Sequence, residues 1–242
     1  LIADGFIDAV LGFIGAGGAM LSVPILLYIF DFTPQAATTA AIAVVLSAAI
    51  SGLLPKIKSK EVLFKEAAVI WALGLVTNIG FSIIAHRLSD AVITTGFSIV
   101  LLSAGTAMLI KPVAGTEKKI PLVWLVVISL VIGSMTGLFG IGGGFLAVPV
   151  LVLFFKNPQG KAAGTSLAII ALNSITAFFG HYQSWPDVVW TVPIAMAISA
   201  VVIARLASIK SGELNPAVMR KSFGFLLYAI ALFTIVKTWV IA

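Results

Sequence analysis

One glycine-rich motif occurs twice in this chain, and the two copies begin 125 residues apart. The first copy occupies residues 12–24 as GFIGAGGAMLSVP, and the second occupies residues 137–149 as GLFGIGGGFLAVP. Glycine weakens a helix because it adds backbone freedom and removes side-chain contacts. Each copy therefore predicts a break in a helix, at the same place in two related halves of the chain.

The sequence around the two motifs is almost entirely apolar. Of the 242 residues, 60% are hydrophobic and only 10% are charged. Soluble domains carry about 25% charged residues, so this composition excludes a soluble globule. Apolar runs of the roughly 20 residues that cross a bilayer recur from end to end. Residues 1–242 are therefore predicted to form one all-α domain embedded in the lipid bilayer.

Similarity between the halves extends beyond the glycine motif. Residues 36–40 (AATTA) correspond to residues 162–166 (AAGTS) at an offset of 126. The chain is interpreted as two repeats, 1–110 and 120–241, joined by a basic cytoplasmic linker at 111–119. Charged or proline-bearing loops divide the repeats into eight apolar segments: 1–30, 34–54, 62–85, 91–110, 120–155, 162–181, 187–207 and 216–241.

The segments that carry the glycine motifs, 1–30 and 120–155, suit either a single crossing or a hairpin that returns to the same side. If every segment crosses once, Lys and Arg divide seven to eight between the two sides, which gives no orientation. If both are re-entrant hairpins, 13 of the 15 Lys and Arg residues lie on one side, with Arg87 and Lys237 opposite. The positive-inside rule therefore favours the hairpins.

Three full crossings per repeat place the second repeat upside down relative to the first. The predicted fold is an all-α polytopic membrane protein with two inverted repeats, each a glycine-broken re-entrant hairpin followed by three transmembrane helices. The basic loops are expected in the cytoplasm and both termini outside. Matched, interrupted segments of this kind are typical of the substrate site of a transporter.

A helix that starts at the glycines is expected to bind an anion, because its unpaired N–H groups carry a partial positive charge. No Lys or Arg is expected to be buried, which argues against a highly charged substrate such as a nucleotide. The alternative is that the glycines only permit close helix packing. The glycines proposed to line the site are Gly17, Gly18, Gly142, Gly143 and Gly144.

Further polar residues are candidates for the same site. The hydroxyls of Thr38, Thr39, Thr165 and Ser166 suit either donation to an anion or capping of their own helices. Asn78 and Asn173 lie inside apolar spans, where an unpaired amide is costly, so each is expected to face substrate or a partner helix.

Asp8 is the acidic residue placed most clearly within an apolar run. An intramembrane carboxylate is a candidate for proton coupling, and the alternative is a solvated position near the outer end of its span. His86 and His181 are expected at the edges of outer loops and are not spaced as metal ligands.

Several function classes lack their required residues. The chain has no cysteine and no GxxxxGK[ST] motif, so thiol chemistry and direct ATP hydrolysis are excluded. Neither an enzyme nor a resident cofactor or metal is expected. The net charge of +6 is attributed to basic loops rather than to nucleic-acid binding.

The duplicated motif at 12–24 and 137–149, with the trailing pairs Thr38-Thr39 and Thr165-Ser166, resembles the TauE/SafE family of sulfite and organosulfonate exporters. The resemblance covers essentially the whole chain. It implies a prokaryotic inner-membrane transporter of small sulfur-containing oxyanions, such as sulfite or sulfoacetate, that works by proton-coupled alternating access. The alternative is a channel-like anion permease, or an uptake transporter for another small anion.

Overall fold

The structure, a computed structural model, describes residues 29–85, 90–110, 121–139, 144–153, 155–211 and 215–236, with Ser22, Leu26 and Trp239. These ranges contain eight α-helices and one 3₁₀ helix, Tyr182–Asp187, and no strand. The predicted linker and both predicted outer termini lie outside them. The helices are α1 (Pro34–Lys58), α2 (Phe64–Ala85), α3 (Asp90–Ile110), α4 (Leu122–Phe139), α5 (Gly144–Leu153), α6 (Gln159–Gly180), α7 (Thr191–Ser211) and α8 (Pro216–Val236).

The helices fall into two length classes. α1–α3 and α6–α8 have 21 to 25 residues each, which at about 1.5 Å per residue matches the thickness of the hydrocarbon core. α4 has 18 residues and α5 has 10. Among the described residues, three helical stretches are long and apolar enough to cross a membrane: Gln35–Lys58, Phe64–Phe81 and Gln159–Gly180.

The second glycine motif coincides with a change of helix. α4 ends at Phe139 and α5 begins at Gly144, so the helix predicted to start at the second set of glycines corresponds to α5. At roughly 15 Å, α5 is too short to span a bilayer. The first motif, apart from Ser22, lies outside the described residues.

Some predicted boundaries are wrong. α1 continues four residues past 54 to Lys58, because Lys56 and Lys58 are tolerated in its last turn, where the helix dipole favours positive charge. α6 begins at Gln159, ahead of the predicted 162. α7 begins after the predicted 187, because a 3₁₀ helix occupies that connection.

Helices of the two halves correspond at nearly one offset. α3 and α8 both have 21 residues and begin 126 residues apart. α1 and α6 begin 125 residues apart, and α2 and α7 begin 127 residues apart. Three consecutive helices therefore recur in the same order and with closely similar lengths.

The turns that lead into α1 and α6 also correspond. Before α1, Asp31 has a left-handed φ of 52° and the N–H of Phe32 donates to the carbonyl of Leu26 at 3.0 Å. Before α6, 125 residues later, Lys156 has a φ of 55° and the corresponding backbone groups form a bond of 3.1 Å. The duplication thus extends to backbone conformation.

Corresponding helices pack as antiparallel pairs. In the α1–α6 pair, Thr39 near the start of α1 contacts His181, which follows the last residue of α6. Gly52, near the end of α1, lies beside Leu167, near the start of α6. The two helices therefore run in opposite directions along their whole contact.

The α3–α8 pair has the same arrangement. Thr95, near the start of α3, accepts a hydrogen bond of 3.3 Å from Trp239, beyond the end of α8. Thr106, near the end of α3, bonds to Tyr228 within α8. α3 and α8 are therefore antiparallel as well.

The closest helix crossing joins α2 to α4 at two glycines. A Cβ placed on Gly133 falls 2.6 Å from the Cα of Gly74. The hydroxyl of Thr77 lies within hydrogen-bonding distance of the carbonyls of Gly74 and Leu130, at 3.2 and 3.0 Å. Glycine at such crossings lets membrane helices approach at backbone distance.

Apolar side chains face outward as well as inward. A buried core of large aliphatic residues includes Ile70, Leu101, Met108, Leu151 and Ile169, whereas the exposed residues of α4 include Leu122, Val123, Trp124, Val127 and Val131. Helices that are apolar all round indicate lipid surroundings. The fold is accordingly that of a multi-pass membrane protein.

The crossing predicts that Gly133→Ala destabilises the protein, because the added methyl overlaps the backbone of α2. We expect a loss of roughly 1–3 kcal/mol, in the range of overpacked cores, measured as a lower thermal midpoint in detergent. Gly80→Ala in α2 is the matched control, since a Cβ there meets nothing within 4 Å. Equal midpoints for the two variants would contradict the close crossing.

Candidate functional site

The α1–α6 pair carries four of the predicted site hydroxyls and is packed through small residues. Small side chains allow membrane helices to approach closely, and the polar side chains between them then bond across the interface. The buried small residues of the pair include Ala36, Ala37, Ala40 and Ala41 of α1 and Ala162, Gly164 and Ala168 of α6.

Thr39 and Thr165 occupy the same position in the two repeats, and both are fully buried. Each hydroxyl donates to the carbonyl four residues earlier in its own helix, at 2.8 Å in both cases. Each also bonds across the pair. The N–H of Leu63 donates to Thr165 at 3.0 Å, and Nδ1 of His181 lies 3.2 Å from the oxygen of Thr39.

The two threonines lie at opposite ends of the pair. Thr39 is beside the end of α6, whereas Thr165 is beside the turn between α1 and α2. Lys56 of α1 lies against Gly164, and the stretch of α1 from Thr39 to Lys56 is roughly 25 Å long. The structure therefore does not bring Thr39 and Thr165 together around one small anion.

Capping does not explain these hydroxyls. Thr33 is the N-cap of α1, and its hydroxyl accepts from the N–H of Ala36 at 3.4 Å. α6 follows Pro158, which forms no side-chain cap. The capping alternative is therefore wrong for Thr39 and Thr165. Their neighbours Thr38, half-buried, and Ser166, buried, also lie within helices.

An ion pair that the sequence did not indicate lies at the Thr165 end. The ammonium of Lys56 is 2.7 Å from a carboxylate oxygen of Glu61, and the Lys56 side chain is only 3% exposed, against 32% for Glu61. The expectation that no lysine is buried is wrong, because Lys56 belongs to the last turn of α1 rather than to a solvated loop. A buried ammonium requires such a partner.

Two glycines of α6 make room for this ion pair. A Cβ on Gly160 would fall 2.5 Å from a carboxylate oxygen of Glu61, and a Cβ on Gly164 would fall 3.1 Å from the Cβ of Lys56. The carboxylate therefore lies over the first turn of α6, where the helix dipole favours negative charge. Glu61 holds the α1–α2 turn against the start of α6.

Two buried amides lie next to the same end. Within the described part of the chain, Nδ2 of Asn157 and Oε1 of Gln159 have no hydrogen-bond partner. Buried amide groups nearly always have one. These two atoms are therefore free to bond water or a polar solute near the start of α6.

The Thr39 end is held by two side-chain contacts. Nε2 of Gln35 donates to the hydroxyl of Ser184, in the 3₁₀ helix, at 2.9 Å, and His181 contacts Thr39. Sequence reasoning placed His181 at a loop edge and did not connect it with the predicted hydroxyls. The repeat alignment held one relevant signal, because it marked Thr39 and Thr165 as equivalent positions.

The predicted amides are separate from each other. Asn78 and Asn173 are both half-buried, in α2 and α6. These helices run in the same direction and are joined by a 3.2 Å hydrogen bond from Trp71 to Thr176. Asn78 follows that contact and Asn173 precedes it, so the two amides are not brought together.

The remaining predicted site residues have little or no described structure. Gly144 is the first residue of α5. The predicted residues outside the described ranges are Asp8, Gly17, Gly18, Gly142 and Gly143. The glycine-lined anion site and the proton-coupling aspartate therefore stay predictions.

A family model described as "Sulfite exporter TauE/SafE" matches residues 2–234. This chain belongs to the TauE/SafE family. It is 28% identical over 253 residues to a "Probable membrane transporter protein" of Xylella fastidiosa, an alignment that covers 98% of the chain and 94% of that relative. The resemblance seen in the duplicated motif is confirmed.

Other relatives of this TauE/SafE protein have similar names. It is 28% identical over 229 residues to "Probable membrane transporter protein YunE" of Bacillus subtilis, covering 83% of each chain. A further "Probable membrane transporter protein", from Methanocaldococcus jannaschii, is 32% identical over 115 residues, 45% of this chain and 43% of its own. No solved structure matches. The family and these names indicate a membrane transporter rather than an enzyme.

The ion pair generates a stability prediction. Glu61→Gln leaves the buried ammonium of Lys56 without its countercharge, and we expect a loss of roughly 1–3 kcal/mol, less than for a fully buried pair because Glu61 is one-third exposed. Thermal unfolding in detergent measures the loss. Adding Lys56→Met should restore most of the stability, since no unpaired charge then remains buried. A double variant as unstable as Glu61→Gln would contradict this account.

Proposed function

We propose that this TauE/SafE protein is a secondary transporter that exports sulfite, or a small organosulfonate such as sulfoacetate, across a prokaryotic inner membrane in exchange for protons. The substrate class rests on the description of the family, and the cell type rests on the bacterial and archaeal sources of its relatives. Coupling to protons is what the family resemblance implies, and the sequence contains no ATP-binding motif that would supply the energy instead.

The antiparallel packing of corresponding helices is the observation that carries the mechanism. α1 packs against α6 and α3 packs against α8, each pair antiparallel and about 126 residues apart. Two halves of opposite orientation, related by an axis in the membrane plane, support alternating access. If the two halves exchange conformations, a protein open to one side of the membrane becomes the equivalent protein open to the other side. The proposed pathway follows the α1–α6 pair, because that axis relates α1 to α6.

The contact between the α1–α2 turn and the start of α6 supports the re-entrant topology. Glu61 precedes α2, and Gly160 lies in the first turn of α6, yet the two residues touch. If the segment before α6 crossed the membrane once, they would lie on opposite sides. A hairpin formed by α4 and α5 keeps Glu61 and Gly160 on the same side of the membrane. That side then holds most of the basic residues, so it is assigned to the cytoplasm.

In the proposed cycle, each end of the α1–α6 pair closes the pathway in turn. The cytoplasmic end is the Thr165 end, held by the Lys56–Glu61 ion pair and the Leu63–Thr165 hydrogen bond. The outer end is the Thr39 end, held by hydrogen bonds to Ser184 and His181. Each such bond contributes about 0.5–3 kcal/mol, so the difference between the two states is small enough for substrate or protons to reverse.

The start of α6 gives the cytoplasmic end its electrostatic character. The buried ammonium of Lys56 and the dipole of α6 provide positive potential there. The uncommitted donor of Asn157 lies in the turn that leads into the same helix. In this structure the carboxylate of Glu61 neutralises that ammonium and lies over the start of α6, so an oxyanion that enters from the cytoplasm must displace Glu61 to reach the positive charge.

The topology is testable because the chain has no cysteine, so a single added thiol is the only one that a maleimide labels. We expect Ser59→Cys and Pro158→Cys to react with a membrane-impermeant maleimide from the same, cytoplasmic side. Gln183→Cys, in the exposed 3₁₀ helix, should react from the outer side. Labelling of Ser59→Cys and Pro158→Cys from opposite sides would refute the hairpin.

Transport itself is tested in proteoliposomes loaded in turn with sulfite, sulfoacetate, taurine and sulfate. We expect flux of sulfite or sulfoacetate that an imposed pH gradient accelerates and an uncoupler abolishes. Gly143→Leu should insert normally yet transport nothing, because the leucine fills the predicted site. Flux that does not respond to the uncoupler indicates the channel-like alternative, and flux of none of these anions rules out the proposed substrates.

A further inference from the structure

The hydrogen bonds of Thr39 determine which atoms of His181 carry protons. A threonine hydroxyl has one hydrogen to donate and accepts through its lone pairs. At the equivalent position, the N–H of Leu63 can only donate, so Thr165 must accept from it and give its own hydrogen to the carbonyl of Lys161. Thr39 makes the same 2.8 Å bond to the carbonyl of Gln35. Its hydrogen is therefore already committed, and Nδ1 of His181 must be the donor to Thr39.

This assignment leaves Nε2 as the basic nitrogen of His181. A neutral imidazole has one N–H and one acceptor nitrogen, and an imidazolium has two N–H groups. With Nδ1–H bonded to Thr39, a proton added to Nε2 leaves that bond intact. It also makes the ring a charged donor, and charge-assisted hydrogen bonds are roughly twice as strong as neutral ones. Histidine is the side chain whose charge changes between about pH 5 and 8.

We propose that His181 is a proton-binding site at the outer end of the α1–α6 pair, and that the bound proton closes that end by strengthening the contact to Thr39. The proposal rests on the proposed function for its orientation and for its role in transport. It assigns to His181, rather than to Asp8 alone, a part in the response to protons. The proton comes from the outer solution, binds Nε2 and leaves the ring singly positive.

The charge distribution around His181 suits this role. Among the described residues that precede α1 or connect α6 to α7, the titratable or charged residues besides His181 are Asp31, Tyr182 and Asp187, all three exposed. The basic residues of α1, α6 and α7 belong to the other end of these helices. The described part of this end therefore carries two carboxylates and no Lys or Arg, and negative charge favours the binding of a proton.

The two ends of the pair consequently differ in their response to pH. At the Thr165 end, the donor across the pair is the backbone N–H of Leu63, which does not titrate. At the Thr39 end, the donor is an imidazole. Outer protons thus favour closure of the outer end and opening of the cytoplasmic end, where an anion awaiting export binds. The proton returns to the outer solution when that end reopens, so His181 sets the response of export to outer pH.

The first experiment measures sulfite efflux at fixed inner pH while the outer pH is varied from about 5.5 to 8. The wild-type rate should change roughly five-fold across a single inflection, the effect of a hydrogen bond that gains charge assistance. His181→Gln keeps a donor to Thr39 but does not titrate, so its profile should lose the inflection and keep only the gradual dependence on the imposed pH gradient. Thr39→Val should lose the inflection as well. Thr165→Val removes the equivalent hydroxyl and should keep the inflection, whatever its rate.

A wild-type inflection that survives in His181→Gln overturns the proposal, as does a wild-type profile with no inflection. A wild-type protein that transports none of the tested anions is a failure of the proposed function instead. The next two measurements need no substrate and keep the two failures apart.

Closure of the outer end is read directly from two neighbouring cysteine positions. Val188 is 6% exposed and packs against the start of α1, whereas Val189 is 65% exposed. We expect the labelling rate of Val188→Cys, divided by that of Val189→Cys, to fall several-fold from outer pH 8 to pH 5.5. The ratio corrects for the intrinsic pH dependence of thiol labelling. Adding His181→Gln should make it constant, and a ratio that still falls overturns the proposal.

The protonation assignment is tested by ¹⁵N NMR on histidine-labelled protein. The chain has two histidines, so His86→Gln leaves only the signal of His181. At high pH the neutral ring should show the Nδ1–H tautomer, and Thr39→Val should reduce that preference. A dominant Nε2–H tautomer in the wild-type protein overturns the hydrogen-bond assignment and the proposal with it.

Discussion

Close contact between α1 and α6 is the constraint on which the rest of the structure depends. In lipid, helices gain nothing from hiding apolar surface from one another, so their association rests on close packing and on hydrogen bonds between them. The alanines and glycines of this pair allow the close packing. Hydrogen bonds form at each end: Thr39 bonds to His181 at one end, and Thr165 accepts from the backbone N–H of Leu63, in the α1–α2 turn, at the other.

Because this pair is antiparallel, equivalent residues of its two helices make different contacts. Thr39 and Thr165 are equivalent in sequence, in burial and in the bond to their own helix. Because α1 and α6 run in opposite directions, each threonine lies beside a different end of the partner helix. The pair therefore has one charged, glycine-lined end and one histidine-bearing end.

The sequence was sufficient to predict features that repeat or that break a pattern. The glycine motif, the offset near 126 and the apolar segments predicted the helix order and the short helix α5, because these properties are local or duplicated. It was insufficient for contacts across the pair. Thr39 and His181 are 142 residues apart, and no local pattern shows that His181 reaches Thr39. Lys56 was misjudged because a charged residue near a turn usually faces water.

Glycine also sets how the two ends can evolve. At the Thr165 end, Gly164 admits the backbone carbonyl of Glu61 in the α1–α2 turn, so a side chain added at Gly164 separates α6 from that turn. At the Thr39 end, the contacts are between exchangeable side chains, Gln35 with Ser184 and Thr39 with His181. Single substitutions can therefore change the contacts at the Thr39 end to suit a new environment, whereas the glycine contact at the Thr165 end does not tolerate them. Among related proteins, the residues at the Thr39 end are therefore expected to vary more than those beside Gly164.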